Sequence, residues 1–160
     1  MAYYAELIEE KCGGLFPDLW GFINCTIRRT CVPIMCQEVM YTRYKRCHGI
    51  KFQSVVTPDG FIACLSGPYI AKRHDLRILH ESRLLEQLQE LMPEDGSEGI
   101  VYSLYGDLAY ERRLHIFCGF RNAELVRARF IERCQKFVLW SNWVFPMFYV
   151  VGSMSISLEK

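Results

Sequence analysis

Three carboxylates stand on well-separated stretches of this 160-residue chain: Asp75, Asp107 and Glu132. Acidic oxygens gathered from distant segments are what hard divalent cations such as Mg²⁺ or Mn²⁺ take as ligands, and such ions catalyse phosphodiester chemistry. Each acid also has a plainer role. Asp75 is placed to open a helix, where its side chain could act as an N-cap, and capping does not prevent it from also binding metal. Asp107 follows an apolar run from Ile100 to Gly106, so it sits either at the carboxyl end of a strand, where α/β sheets place their sites, or in a Gly-Asp turn. Glu132 lies nearly opposite the apolar stripe Val126, Phe130, Cys134 and Phe137, with Lys136 four residues on, which by periodicity alone reads as solvated surface.

The elements that must position these acids follow from the residue pattern. Tyr3 to Lys11 reads as a short helix ended by Gly13-Gly14. Leu19 to Ile23 reads as a buried strand running into Asn24-Cys25-Thr26, and residues 27–48 as a long, mostly irregular connection rich in basic and tyrosine residues. Phe52–Val56 and Phe61–Leu65 flank Thr57-Pro58-Asp59-Gly60, a hairpin signal in which proline pre-sets the turn and glycine accepts positive φ. Leu76, Leu79, Leu84, Leu85, Leu88 and Leu91 predict one amphipathic helix from Asp75 to Met92, followed by the loop Pro93 to Ser97. A strand over Ile100–Tyr105 and a last helix over Ala123–Trp140 complete the order. One mixed sheet covered by helices, an α/β class fold, satisfies it.

The totals fit one packed domain: 51% hydrophobic and 14% aromatic residues exclude disorder. A formal net charge of +1 gives the whole molecule no strong pull on nucleic acid, so such binding must come from local clusters. The basic, aromatic candidates are Arg28, Arg43, Lys45, Arg46 and His48, with tyrosines interleaved to stack on bases. Several of the eight cysteines lie inside apolar runs, as buried free thiols do. No secretory leader is seen, so they are expected to be reduced in an intracellular protein. Cys31 and Cys36 have no second close pair, which argues against structural zinc. Phe137 to Leu158 carries no charge over 22 residues, yet Ser141, Asn142, Pro146 and Gly152 interrupt it. A buried helix end and core strand is the expected reading there, with a membrane span as its alternative.

Four stretches carry a family resemblance: Leu19-Trp20-Gly21-Phe22-Ile23-Asn24-Cys25-Thr26, the run Tyr44 to Gly60, Arg73-His74-Asp75, and Tyr105-Gly106-Asp107-Leu108-Ala109-Tyr110. In order and spacing they resemble DDE superfamily endonucleases derived from Harbinger-type transposases, over roughly residues 17 to 152. The resemblance implies a ribonuclease-H-like fold, a nuclear location, DNA as partner and a divalent metal (Mg²⁺ or Mn²⁺) held at the positions of Asn24, Asp75, Asp107 and Glu132, the last three being catalytic.

Two departures stand out. The family usually shows Ile-Asp-Gly-Thr where this chain has Ile23-Asn24-Cys25-Thr26. An amide offers one neutral carbonyl oxygen in place of an anionic pair, so metal binding and cleavage are expected to be impaired. Asp18 cannot substitute, because six residues of extended strand span about 20 Å. Asp59 at the hairpin tip is an equally poor replacement. The resemblance further implies an upstream helical DNA-binding region, and nothing of that kind is seen before residue 17. Target recognition would then fall to a separate DNA-binding protein. The alternative expectation is an inactive domesticated or decayed fragment that binds DNA or protein.

Overall fold

In the computed structural model the described residues are 1–12, 14, 18–92, 100–107 and 109–118. The expected helix 123–140, Glu132 within it and the uncharged tail 137–158 lie outside them. Among the described residues no helix is long and apolar enough to cross a membrane.

The element order is α1 (Ala2–Cys12), β1 (Leu19–Arg29), α2 (Gln37–Met40), β2 (Tyr41–Thr42), β3 (Cys47–Val56), β4 (Ile62–Ile70), α3 (Asp75–Glu81), α4 (Leu84–Leu91), β5 (Ser103–Gly106) and β6 (Ile116–Cys118). β1 lies at the centre of one mixed sheet. It pairs antiparallel with β3 and parallel with β5, β6 continues parallel beyond β5, and β2 and β4 pair with β3. This curled α/β sheet with flanking helices is compatible with the ribonuclease-H-like fold that the resemblance implied.

The hairpin forms as its turn chemistry requires. Gly60 takes φ 92°, and the turn is closed by Thr57 N–H to the Phe61 carbonyl and Gly60 N–H to the Thr57 carbonyl, each 2.9 Å. Asp59 stays at the tip, where it accepts a hydrogen bond from Tyr4 Oη at 3.0 Å and ties α1 to the hairpin.

Two expectations need correction. The connection 27–48 is less irregular than expected: β1 continues to Arg29 because β3 begins at Cys47 and supplies partners out to Arg29↔Gly49. The single helix 75–92 is two helices. Five residues separate Leu79 from Leu84, one too many to keep both on one stripe of a continuous helix. The chain resets at Arg83, which adopts the left-handed conformation (φ 55°), and both leucines then reach the core. Because a non-glycine residue in this conformation is disfavoured by about 1 kcal/mol, Arg83→Gly is expected to leave stability unchanged or raise it by up to ~1 kcal/mol in urea unfolding. The exposed Arg83–Glu86 pair at 3.7 Å has little to lose.

The core sits between the sheet and these helices. Trp20, Ile23, Val55, Leu79, Leu84, Leu88, Leu104, Tyr110 and Ile116 form it, and Cys25 packs against its edge. Strand alternation sends the intervening residues the other way. There Phe22 meets Tyr105 at 6.4 Å between ring centroids, and Tyr105 meets Phe117 at 6.1 Å.

Candidate functional site

Asp75, at the start of α3, and Asp107, just past β5, lie near enough for their charges to interact. α3 begins at Asp75, but the cap is the preceding residue: His74 Nδ1 accepts the Leu76 N–H at 3.3 Å. The N-cap reading of Asp75 is therefore corrected. Its carboxylate faces Lys51 instead, whose Nζ donates to Asp75 Oδ1 at 2.7 Å and to the Arg73 carbonyl at 2.7 Å. This is a largely buried pair, with the Lys51 side chain 11% and the Asp75 side chain 19% exposed.

Asp107 follows β5. Its Oδ1 accepts the Ala109 N–H at 2.9 Å, so the turn role expected for a Gly-Asp step is real. That turn brings Tyr110 back over the strand end, a close approach that Gly106 permits; a Cβ there would lie 2.9 Å from the ring. Desolvation raises the Asp107 carboxyl above the usual carboxylate range and the negative charge of Asp75 adds to it, against the Ala109 N–H and the positive charges of His74 and Lys51. The residue is exposed, which tempers the effect. The two aspartates thus share one electrostatic neighbourhood.

Asn24 and Cys25 divide between the faces of β1. Cys25 Sγ lies 3.3 Å from Tyr110 Oη and beside Asp75. Burial, reinforced by the Asp75 charge, pushes its thiol up to about 12, so it is a neutral thiol at pH 7. Burial likewise raises the Tyr110 hydroxyl. Asn24 points away from Cys25 by alternation and is half-buried. Ile23 pairs with Gly106 at the end of the parallel β1–β5 ladder, so Asn24 and Asp107 each follow the last paired residue of their segment. A reactivity difference follows. Cys31 and Cys36 are exposed, whereas Cys25 is half-buried and protonated. In an iodoacetamide time course at pH 8 read by peptide mass spectrometry, Cys31 and Cys36 are expected to be labelled early and Cys25 to stay protected until the fold is denatured.

As ligands for a divalent ion these residues fit in part. Asp75 and Asp107 are hard anionic donors within charge range of each other, whereas Asn24 points away from the face of β1 on which Cys25 meets Asp75. Against them, Asn24 is neutral, one Asp75 oxygen is already held by an ammonium, and Cys25 is a protonated thiol in the place of the family's glycine. Among the described residues no three His, Cys, Asp or Glu side chains form a metal-binding group. The described donors fall short of the anionic charge that two adjacent dications need.

The basic candidates gather elsewhere. Arg43, Lys45 and Arg46 occupy the exposed turn between β2 and β3, with Lys45 Nζ over the Tyr44 ring at 5.1 Å. His48 stacks against Tyr41 across the strand pair, ring centroids 5.2 Å apart. Arg43 also lines a cleft of about 700 Å³ with Glu38, Tyr41, Thr42 and Lys72. Arg28 lies on β1, paired with Ile50 of β3. Sequence reasoning missed Lys72 and Lys51; Lys72 stands in the charged run Lys72-Arg73-His74-Asp75, whereas Lys51 lies in a mostly apolar strand and acquires its partners only through the fold.

Compared with known proteins, residues 23–135 match the family described as DDE superfamily endonuclease, well over half of the chain. The match begins at the strand carrying Asn24 and includes Asp75, Asp107 and Glu132. No curated protein and no solved structure matches the chain.

Proposed function

The chain belongs to the DDE superfamily endonucleases, and on that premise we propose that it is a transposase-derived nuclease domain acting on DNA phosphodiester bonds with a divalent metal, its cleavage impaired at Asn24. The observation that carries this reading is the family match over residues 23–135, which spans Asn24, Asp75, Asp107 and Glu132; the charge of Asp75 on Asp107, more than thirty residues away in sequence, is in keeping with it. These two residues would hold the ion, with Glu132 as a third ligand and Asn24 as a weakened one. When bound, such an ion supplies Lewis-acid polarisation of a phosphoryl oxygen and a nucleophile of lowered pKa. The protein's own part is positional. The Ala109 N–H fixes one Asp107 oxygen, the parallel β1–β5 ladder ends at Ile23 and Gly106 just before residues 24 and 107, and α3 begins at Asp75. The basic turn Arg43–Arg46, with Arg28, Lys72 and the Tyr41–His48 pair beside it, offers a path for the phosphate backbone. Sequence recognition would fall to a separate DNA-binding partner.

A second reading, DNA or protein binding without cutting, is favoured by the neutral Asn24 and the ammonium on Asp75. A gel shift and a plasmid-nicking assay, each with and without Mn²⁺, separate the two. The nuclease reading expects slow nicking that requires Mn²⁺ and disappears in Asp107→Asn while the gel shift persists. Binding with no nicking under any metal condition selects the second reading.

A further inference from the structure

Lys51 is an unusual residue to find inside the sheet. It lies in the middle of β3, paired with Ile27 on one side and Tyr69 on the other, and its residue exposure is 9%. A lysine in that position must either lose its charge or find compensating anionic and carbonyl oxygens. The fold provides both kinds, Asp75 Oδ1 and the Arg73 carbonyl, each at 2.7 Å. Arg73 and Asp75 bracket the entry to α3, so the ammonium also fixes where that helix starts and therefore where the Asp75 carboxylate points.

We infer that Lys51 is a built-in cation for the acid site: its ammonium holds Asp75 in place of a divalent ion, so that metal can use Asp75 fully only by displacing it. This rests on the reading of Asp75 as a metal ligand. The argument is one of charge and space. An ammonium in direct contact with a carboxylate oxygen occupies a donor position that a metal ion needs, and a dication brought beside it meets like-charge repulsion in a poorly solvated pocket. The other partly buried groups at this carboxylate do not replace the lost anion, since Cys25 is a neutral thiol and Tyr110 a neutral phenol. The site is thereby held together without metal and binds metal weakly, in the same direction as Asn24 but by a separate device.

The test is Mn²⁺ binding by titration calorimetry on the full chain, joined to thermal melts in EDTA and in Mn²⁺. Lys51→Met keeps the apolar stem and removes the charge; Lys51→Arg keeps the charge; Lys51→Gln serves if the methionine variant folds poorly. The neutral variants are expected to bind Mn²⁺ at least about tenfold tighter than the parent, since one competing positive charge is gone. They should also melt lower than the parent in EDTA and regain stability with Mn²⁺, because a ligand bound only by the folded state stabilises it. Lys51→Arg should stay as weak as the parent, and adding Asp75→Asn to Lys51→Met should abolish the gain. If Mn²⁺ binds in an Asp75-dependent way but with the same affinity in parent and Lys51→Met, the inference about Lys51 is overturned and the site reading stands. If neither the parent, Lys51→Met nor Asn24→Asp binds Mn²⁺, the site reading itself is overturned and the inference falls with it.

Discussion

Replacing Asp75 by alanine is expected to lower the unfolding free energy by about 2–4 kcal/mol, far more than loss of a surface carboxylate. The reason is the partner it leaves behind. Lys51 is buried in β3, and without Asp75 its ammonium keeps only the Arg73 carbonyl as an observed acceptor. Breaking a fully buried pair costs about 3–5 kcal/mol, and the 11% and 19% exposure of these side chains places this pair somewhat below that range. Two controls separate the charge effect from lost packing. Asp75→Asn keeps the shape and one acceptor oxygen, and should cost less than alanine. The double replacement Lys51→Met with Asp75→Ala should recover much of the loss, because no unpaired charge then remains. Urea unfolding at pH 7 of the parent, Asp75→Ala, Lys51→Met and the double variant measures the cycle. A coupling near zero between the two positions would show that the pair is no more than a surface contact.

How much of this was legible in the residues depends on the range of the interaction concerned. Local signals held. Thr57-Pro58-Asp59-Gly60 specified its turn because proline and glycine set the dihedrals directly, and the alternation of Phe22, Ile23 and Asn24 fixed which face each would take. The leucine register also contained the helix break, in the five-residue step from Leu79 to Leu84, although a periodicity reading smooths over a single irregular interval. Arg28 and Arg29 read as loop by charge, and only pairing with a strand that starts at Cys47 makes them strand residues. The Lys51–Asp75 pair was out of reach for the same reason. It spans 24 positions, and nothing within a turn's length of either residue announces the other. At the start of α3 the residue type misleads: aspartate is a common N-cap, yet His74, one position earlier, caps the helix. Asp75 and Asp107 are 32 positions apart, so the residue pattern marks each as an acid at an element end, and only the family resemblance implies that they share a site.

The substitution with the greatest expected effect on chemistry is Asn24→Asp. Asn24 and Asp107 each follow the last paired residues of the β1–β5 ladder, Ile23 and Gly106, and the proposed site needs an added carboxylate at 24 to reach an ion held by Asp107. An anionic ligand in place of a neutral carbonyl oxygen is expected to strengthen Mn²⁺ binding by at least about tenfold, or ~1.4 kcal/mol, and nicking should rise with it. The same change has a cost that makes the result diagnostic. A half-buried carboxylate placed beside Asp107, whose own carboxyl is already raised by burial and by Asp75, adds a third negative charge to that end of the sheet. In EDTA the revertant should therefore be less stable than the parent above the range in which these acids titrate. The penalty should shrink as pH falls and the carboxyls protonate, since a group whose pKa is raised by folding favours the folded state when protonated. Added Mn²⁺ should reverse the penalty at pH 7 by neutralising the same charges, whereas a surface aspartate would give neither the loss nor the rescue. Equal Mn²⁺ affinity in Asn24→Asp and the parent, together with melting points that ignore both metal and pH, would remove Asn24 from the site.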